Sequence, residues 1–487
     1  MRNSARASDE QPQGHPGWLA LLRPEWIPSL AVLLVGVLLH SMNVLLVATV
    51  LPSIVAEIGG ATLMSWPTTA YLAFSIVAAT CTGLVTAAVG PRRAFAGGAV
   101  VFGLGTLLCA FAPAMGHVIA GRFLQGGGGG ILSAVAYVVV RVTFPESLWP
   151  RVFAMLAGVW SISVLVGPLV GGVFARHGHW RTAFFAVAAL AGLLAVVGLL
   201  ALPSYRDADR GARPRVPGGR IALIVIAIAT MSLAAIASMP AAKACLIVTA
   251  LAGLVAMLWL DRSAATRVLP ADAFSLHSST GVGLWVALLL SITFVPLQIF
   301  VPVFLQRLHG LDPLAAGYTV ATASMAWTVA AITVAGLLNR WPDRMIIAGP
   351  VAMGLGLLGV AIAMPTGPVV AVVPMIILVG GGIGVCWAFT AQRIMGGARR
   401  GEEEIAASAV ATVQQTGLAL GAALAGLVAN TAGFSIAGDT TGTIRAAFWV
   451  PAVFVSAAAA AGIMGVRLAV LTTSAHGERE SAHINPD

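Results

Sequence analysis

The sequence predicts an all-α polytopic membrane protein. Three observations carry this. The chain is 59% hydrophobic and only 9% charged, with a mean hydropathy of +0.94, outside the range of soluble domains. Its apolar residues fall into long runs of about twenty, the length that crosses a bilayer as a helix. Its charges sit in the short gaps between those runs, where they avoid the cost of entering hydrocarbon. Backbone groups in lipid must pair internally, so runs of this length are helices, and no alternating ten-residue strands of a β-barrel are visible.

Fourteen spans are expected, at 27–50, 66–88, 94–113, 118–141, 151–175, 182–202, 221–239, 243–260, 281–305, 314–338, 345–364, 368–392, 405–430 and 446–470. A polar tail over 1–26 precedes a six-helix bundle at 27–202. A linker at 203–220 with five arginines follows, then two additional central helices at 221–260 joined by a tight Met239-Pro240 turn. A second linker at 261–280 leads to a six-helix bundle at 281–470 and a tail at 471–487. Six plus six with an inserted pair is the plan of an internal repeat, common among transporters. The fifth and thirteenth spans support it, with Gly158, Gly167, Gly171 and Gly172 in one and Gly417, Gly421 and Gly426 in the other. Small residues let helix backbones approach closely in lipid.

Basic residues set the orientation. With the N-terminus inside, 21 of the 27 lysines and arginines lie on the cytoplasmic side. Arg176, Arg181, Lys243, Arg307 and Arg445 fall outside, and Arg122 lies within a span. Both termini are expected in the cytoplasm, and the net charge of +9 reads as positive-inside bias, with no nucleic-acid partner. No cleaved signal peptide is expected, because the first apolar run is too long for one. Cys81, Cys109, Cys245 and Cys386 all fall inside spans and read as small packing residues. Trp26, Trp149, Trp180 and Trp341 stand near span ends and read as interfacial anchors.

The motifs are specific. The fifth span carries Gly167-Pro168-Leu-Val-Gly171-Gly172, and the fourth Arg122-Phe-Leu-Gln125-Gly126 followed by glycines to Gly130. A proline inside a span kinks it, and glycines beside it leave a groove for a neighbour. These segments resemble the antiporter signature and the R-x-x-Q-G signature of the major facilitator superfamily. Leu51-Pro52-Ser-Ile54, Trp66-Pro-Thr-Thr-Ala-Tyr71, His179-Trp180-Arg181, Phe304 through Gly317, and Gln414-Gln415-Thr-Gly417 resemble its fourteen-helix drug/proton antiporter branch. The resemblance implies the major facilitator fold, two six-helix bundles plus two additional central helices, in the plasma (inner) membrane. It also implies export of small drug-like molecules by alternating access, with a proton likewise a partner, no cofactor, and a monomeric state.

Two departures stand out. The loop after the second span, from Gly83 through Gly90-Pro91-Arg92-Arg93, has Ala87 where the superfamily usually has an aspartate that latches one conformer. Asn43 likewise stands where the branch usually has an aspartate in the first helix. None of the 18 acidic residues lies at mid-depth of a span. What remains inside is His40 and Arg122. His40 could titrate as a coupling group, or remain neutral and bond a neighbouring helix. Arg122 stays charged, and could order the first helix's backbone carbonyls, clamp the bundle or meet an anionic group. Asn43, Tyr71, Gln125, Gln298, Gln414 and Gln415 are uncharged hydrogen-bonders suited either to substrate contact or to helix-helix bonding. Gly90, Arg92, Arg93, Gly167, Pro168, Gly171 and Gly172 are the conformational positions.

The expected function is a secondary active exporter of neutral or anionic amphiphiles, coupled to protons. An uncoupled facilitator or importer of the same fold is the alternative. Lys243, the lone lysine, has no phosphate-loop context, so no ATP drive is expected. The 126–130 glycines sit inside a membrane helix and cannot form a strand-turn-helix phosphate cradle. His177 and His179 lack carboxylate or cysteine partners, so no metal site is expected. An intramembrane enzyme would need a nucleophile and base facing one cavity, and no such pair is evident. A receptor or scaffold would move no ligand.

Overall fold

In a computed structural model, the described residues are 17–60, 63, 66–176, 180–204, 218–237, 239–264, 267–337, 341–434 and 440–484. Among them the chain is helical and contains no strand. A short 3-10 turn, Trp18–Leu22, leads into α1 Ile27–Ile58. The first bundle continues with α2 Trp66–Val89, α3 Pro91–Ala110, α4 Met115–Thr143, α5 Trp149–Arg176 and α6 Trp180–Ala201. A hairpin follows, α7 Gly218–Ile236 and α8 Pro240–Arg262. The second bundle comprises α9 Ser279–Ile299, α10 Val301–His309, α11 Pro313–Val334, α12 Trp341–Thr366, α13 Val369–Gly396, α14 Glu403–Thr431 and α15 Thr440–Ile484. Twelve described helices are long and apolar enough to cross a membrane, and Ile27–Asn43 adds a shorter apolar stretch.

Local chemistry sets the boundaries. Pro91, Pro240 and Pro313 open α3, α8 and α11, where the missing N–H costs nothing. The Asp312 carboxylate caps α11 by accepting from the backbone N–H of Leu314 at 2.9 Å and Ala315 at 3.0 Å. Gly90 takes φ +83° between α2 and α3, a conformation that disfavours any side chain. The expected span at 281–305 is divided at Phe300 into α9 and α10. Pro302 cannot donate back to Gln298, which interrupts the helical ladder there. The final helix begins earlier than expected and continues past residue 470 to Ile484.

The two bundles repeat one pairing scheme. In the first, α1 packs on α5, α2 and α3 on α4, and α3 on α6. In the second, α9 packs on α14, α11 and α12 on α13, and α12 on α15. The glycine-rich α5 and α14 therefore occupy equivalent places. A Cβ on Gly417 would stand 2.8 Å from the Leu288 carbonyl oxygen, and one on Gly421 3.1 Å from the Ile292 Cα, so α14 lies backbone-close to α9. The α7–α8 hairpin rests against α2 and α14, one helix from each bundle, with Ala234, Ile247 and Ala250 meeting Leu420 and Ala423.

The described acidic residues sit near helix ends or in the loops between helices. Glu57 is in the last turn of α1, Asp343 in the first turn of α12, and Glu403 and Glu404 in the first turn of α14. At the arginine-rich end they tie loops down. Asp261 pairs with Arg220 and accepts from the backbone N–H of Leu269 at 3.0 Å. Glu402 pairs with Arg267 at 2.8 Å and accepts from Ala271 N–H at 2.9 Å, and Arg393 pairs with Asp343 at 2.8 Å. Two of the expected interfacial tryptophans are instead buried. Trp180 is 1% exposed and donates to the Glu57 carboxylate at 2.6 Å. Trp149 is 5% exposed and donates to the Phe144 carbonyl at 2.9 Å. Each indole found a protein acceptor, so neither needs the headgroup region.

Candidate substrate and coupling site

Five glycines on α4 build the site. A Cβ on Gly126 would collide with the Tyr71 carbonyl, one on Gly130 with the Ser75 carbonyl, and one on Gly128 with the backbone of Phe102. The run thus brings the α2 and α3 backbones against α4 instead of cradling a ligand. On the same helix Gly129 leaves room for two polar groups. Its Cβ would lie 2.6 Å from the Tyr71 hydroxyl and 2.7 Å from His40 Nδ1.

Into this gap the structure gathers five of the eight polar residues singled out in the sequence. The Tyr71 hydroxyl and His40 Nδ1 share a hydrogen bond of 2.7 Å, with the rings stacked at 5.7 Å. Arg122 lies over the Tyr71 ring, 4.1 Å from its centroid, within cation–π range. Its Nε donates to the Pro67 carbonyl at 3.3 Å and its Nη1 to Gln125 Oε1 at 2.6 Å. Gln125 Nε2 then donates to Asn43 Oδ1 at 3.1 Å and to Thr106 Oγ1 at 2.7 Å. Arg122 and Gln125 stand three residues apart on one helix face, which lets one bond connect them. His40, Asn43, Tyr71, Arg122 and Gln125 are all buried. The Arg122 carbonyl contact is to α2, whereas the sequence pointed to the first helix.

The described hydrogen bonds and ion pairs of Arg122 include no carboxylate. Two donors of the cluster, Arg122 Nη2 and Asn43 Nδ2, have no hydrogen-bond partner. The Trp160 ring approaches His40 edge-on at 6.1 Å and is itself 41% exposed, so the cluster has an aromatic neighbour with an open side.

The remaining candidates lie elsewhere. Gln415 joins the bundles: its Oε1 accepts from Ser75 Oγ at 2.8 Å and its Nε2 donates to Ser133 Oγ at 3.2 Å. Gln414 is half-buried on α14, and Gln298 is exposed near the end of α9. Gly90, Arg92 and Arg93 form the α2–α3 turn, with Arg93 exposed. Gly167, Pro168, Gly171 and Gly172 fall within α5, and their packing lies outside the described residues, as do His177 and His179. Thr106, Ser75, Ser133 and Trp160 were not singled out in the sequence. Short hydroxyl residues and lone tryptophans are common in membrane helices, and only the three-dimensional register reveals which face a neighbour.

Further bonds join the two bundles. Ser161 Oγ bonds the Ser324 carbonyl at 2.5 Å and Thr328 Oγ1 at 2.6 Å, linking α5 to α11. Arg141 of α4 donates to the Met395 carbonyl in the last turn of α13. Gln392 Nε2 donates to the Glu146 carbonyl at 3.4 Å. Among the described residues no cluster of three or more histidine, cysteine, aspartate or glutamate side chains could hold a metal.

Two repeated helical bundles, with a buried polar cluster inside the first, are the architecture of a polytopic membrane protein, and the family match makes it a transporter of small molecules and not an enzyme. Residues 33–422 match the profile of the Major Facilitator Superfamily, and the chain belongs to that family. It is 34% identical over 428 residues to a probable multidrug-efflux transporter of Mycobacterium tuberculosis, covering 85% of this chain and 90% of that one. It is 25% identical over 423 residues to the multidrug efflux pump LfrA of Mycolicibacterium smegmatis, covering 85% and 83% of the two chains. The fold is similar to the crystal structure of the human organic anion transporter MFSD10, with a TM-score of 0.67 at 13% identity over 91% of this chain and 99% of that one.

Proposed function

We propose that the protein exports small neutral or anionic amphiphiles across the plasma (inner) membrane by alternating access, in exchange for protons. The observation that carries the substrate class is Arg122, a buried guanidinium with no acid among its described bonding partners. A cationic drug meeting this cluster would face like charge without a compensating carboxylate, whereas an anionic or neutral one would not. The names of the mycobacterial relatives support export of drug-like compounds, and MFSD10, of similar fold, is an organic anion transporter.

In this reading the chain crosses the membrane fourteen times as a monomer of the drug/proton antiporter branch. The long α1 and the 19-residue α7 add to the twelve helices that meet the length and hydropathy requirement. The arginine-rich end, with both termini, faces the cytoplasm. His40, in contact with Tyr71 and beside the half-exposed Trp160, is the coupling group. α5, which carries Gly167-Pro168, and its counterpart α14 supply the moving interface.

The test is accumulation in a strain lacking its own efflux pumps, with and without the protein. Expression should lower accumulation of an anionic fluorescent amphiphile and leave that of ethidium unchanged. Ethidium efflux that a single substitution in the Arg122 cluster abolishes would overturn the substrate preference. An uncoupled facilitator or importer is the second reading, favoured by the absence of carboxylates from mid-span positions. It predicts flux that is indifferent to a pH gradient.

A further inference from the structure

Arg122 presents an unresolved charge. It is fully buried in α4, and its described hydrogen-bond acceptors are a carbonyl oxygen and an amide oxygen, both neutral. An arginine at the centre of a membrane helix costs about 2.5–3.5 kcal/mol even on the most lenient scale, and Arg122, the eighth residue of α4, bears part of that cost. A buried charge without a partner is the arrangement that folded proteins avoid. The Tyr71 ring offsets part of the cost, by about 2 kcal/mol at most for a desolvated pair. Meanwhile two N–H groups of this one cluster remain unpaired, Arg122 Nη2 and Asn43 Nδ2. They are bridged by Gln125, whose Oε1 takes Arg122 Nη1 at 2.6 Å and whose Nε2 reaches Asn43 Oδ1 at 3.1 Å. One cationic and one amide donor, both buried and both without acceptors, are what a small anion requires.

We propose that the Arg122–Asn43 cluster binds a single inorganic monoanion of halide size, which serves as the counter-charge that no side chain supplies. Arg122 Nη2 and Asn43 Nδ2 donate to it. Both side chains are 0% exposed, so an ion bound there is held out of water. The proposal rests on the same reading of Arg122 as a charge that no side chain neutralises, the ion holding the place of an anionic substrate group until one arrives. Its test reads binding and stability without transport, so it can fail while the substrate preference stands.

The experiment uses the full chain in detergent or nanodiscs, in sodium gluconate, with chloride or bromide titrated in at constant ionic strength. An ion that binds only the folded protein raises its unfolding midpoint with concentration. The wild type should show a saturable rise of several degrees with either halide. Asn43→Asp supplies a carboxylate beside Arg122; this variant should be more stable in gluconate and lose the halide response. Arg122→Gln should lose the response as well, and the Asn43→Asp result keeps the test decisive should Arg122→Gln fold poorly. Crystals grown in bromide should show anomalous density within hydrogen-bond reach of Arg122 Nη2. The proposal is overturned by a midpoint that is equal in gluconate and halide, or by a halide response that persists in Asn43→Asp. Stabilisation by acetate or formate but not by chloride would also overturn it, pointing instead to a carboxylate site.

Discussion

Ser75 on α2 donates its hydroxyl to Gln415 on α14 at 2.8 Å, bonding the two bundles at mid-depth. The same glutamine reaches Ser133 of α4 at 3.2 Å. Such bonds must break whenever the bundles rock apart toward the arginine-rich end. Gln415→Ala removes both and should favour the opened state by about 1–2 kcal/mol, roughly 5- to 30-fold in population. Spin labels on the arginine-rich ends of α2 and α14, read by pulsed distance measurement, would show the longer distance gaining weight. An unchanged distribution would mean that Gln415 contributes nothing to closure.

The glycine run sets a stability prediction. Gly126→Ala or Gly130→Ala would force α2 away from α4, because the obstacle is backbone and not a mobile side chain. Each should cost about 1–3 kcal/mol, seen as a lower unfolding midpoint. Gly97→Ala on α3, where a Cβ would meet nothing within 4 Å, should leave the midpoint unchanged or raise it. Equal effects at all three positions would contradict the close-packing account.

Arg122 uses the spread geometry of its guanidinium, with Nε on Pro67 and Nη1 on Gln125. Lysine keeps the charge but cannot make both bonds at once. Arg122→Lys should therefore reduce transport by about tenfold, corresponding to ~1.4 kcal/mol, the worth of one or two such bonds. Retained wild-type rates would show that charge alone matters there.

Outside the apolar core, Glu57 offers a pH prediction. Trp180 and Arg181 hydrogen-bond its carboxylate and hold its pKa below the ordinary value. A depressed folded pKa means that the stabilisation is fully present above the unfolded value of about 4.3 and fades as pH falls through the folded one. The difference in midpoint between wild type and Glu57→Gln should be constant from pH 8 to 6 and shrink below about pH 4. A difference that grows on acidification would reverse the assignment.

Much of this architecture could be read in the chain because lipid imposes a severe rule: charge belongs outside the spans and apolar length must match the bilayer. The long apolar helices and the placement of the described acids near helix ends or in loops follow from it. The polar cluster was partly legible for the same reason, since His40 and Arg122 stand out in apolar runs. Its internal wiring was not. Which side of α4 meets α2 depends on Gly126 and Gly130 lying against the Tyr71 and Ser75 carbonyls, and glycine has no side chain to announce a direction. Gln415 looked like Gln125 in the sequence, yet one joins the bundles and the other supports Arg122. Trp180 looked like a surface anchor because its acceptor, Glu57, lies 123 residues away in the chain.

Proton-driven export is tested most directly in proteoliposomes with an imposed pH gradient and an anionic fluorescent amphiphile, comparing wild type with His40→Ala. Substrate should accumulate against its gradient on the acidic side for the wild type, and equilibrate without accumulating for His40→Ala. Wild-type flux that ignores the pH gradient would contradict the account and establish the uncoupled reading instead.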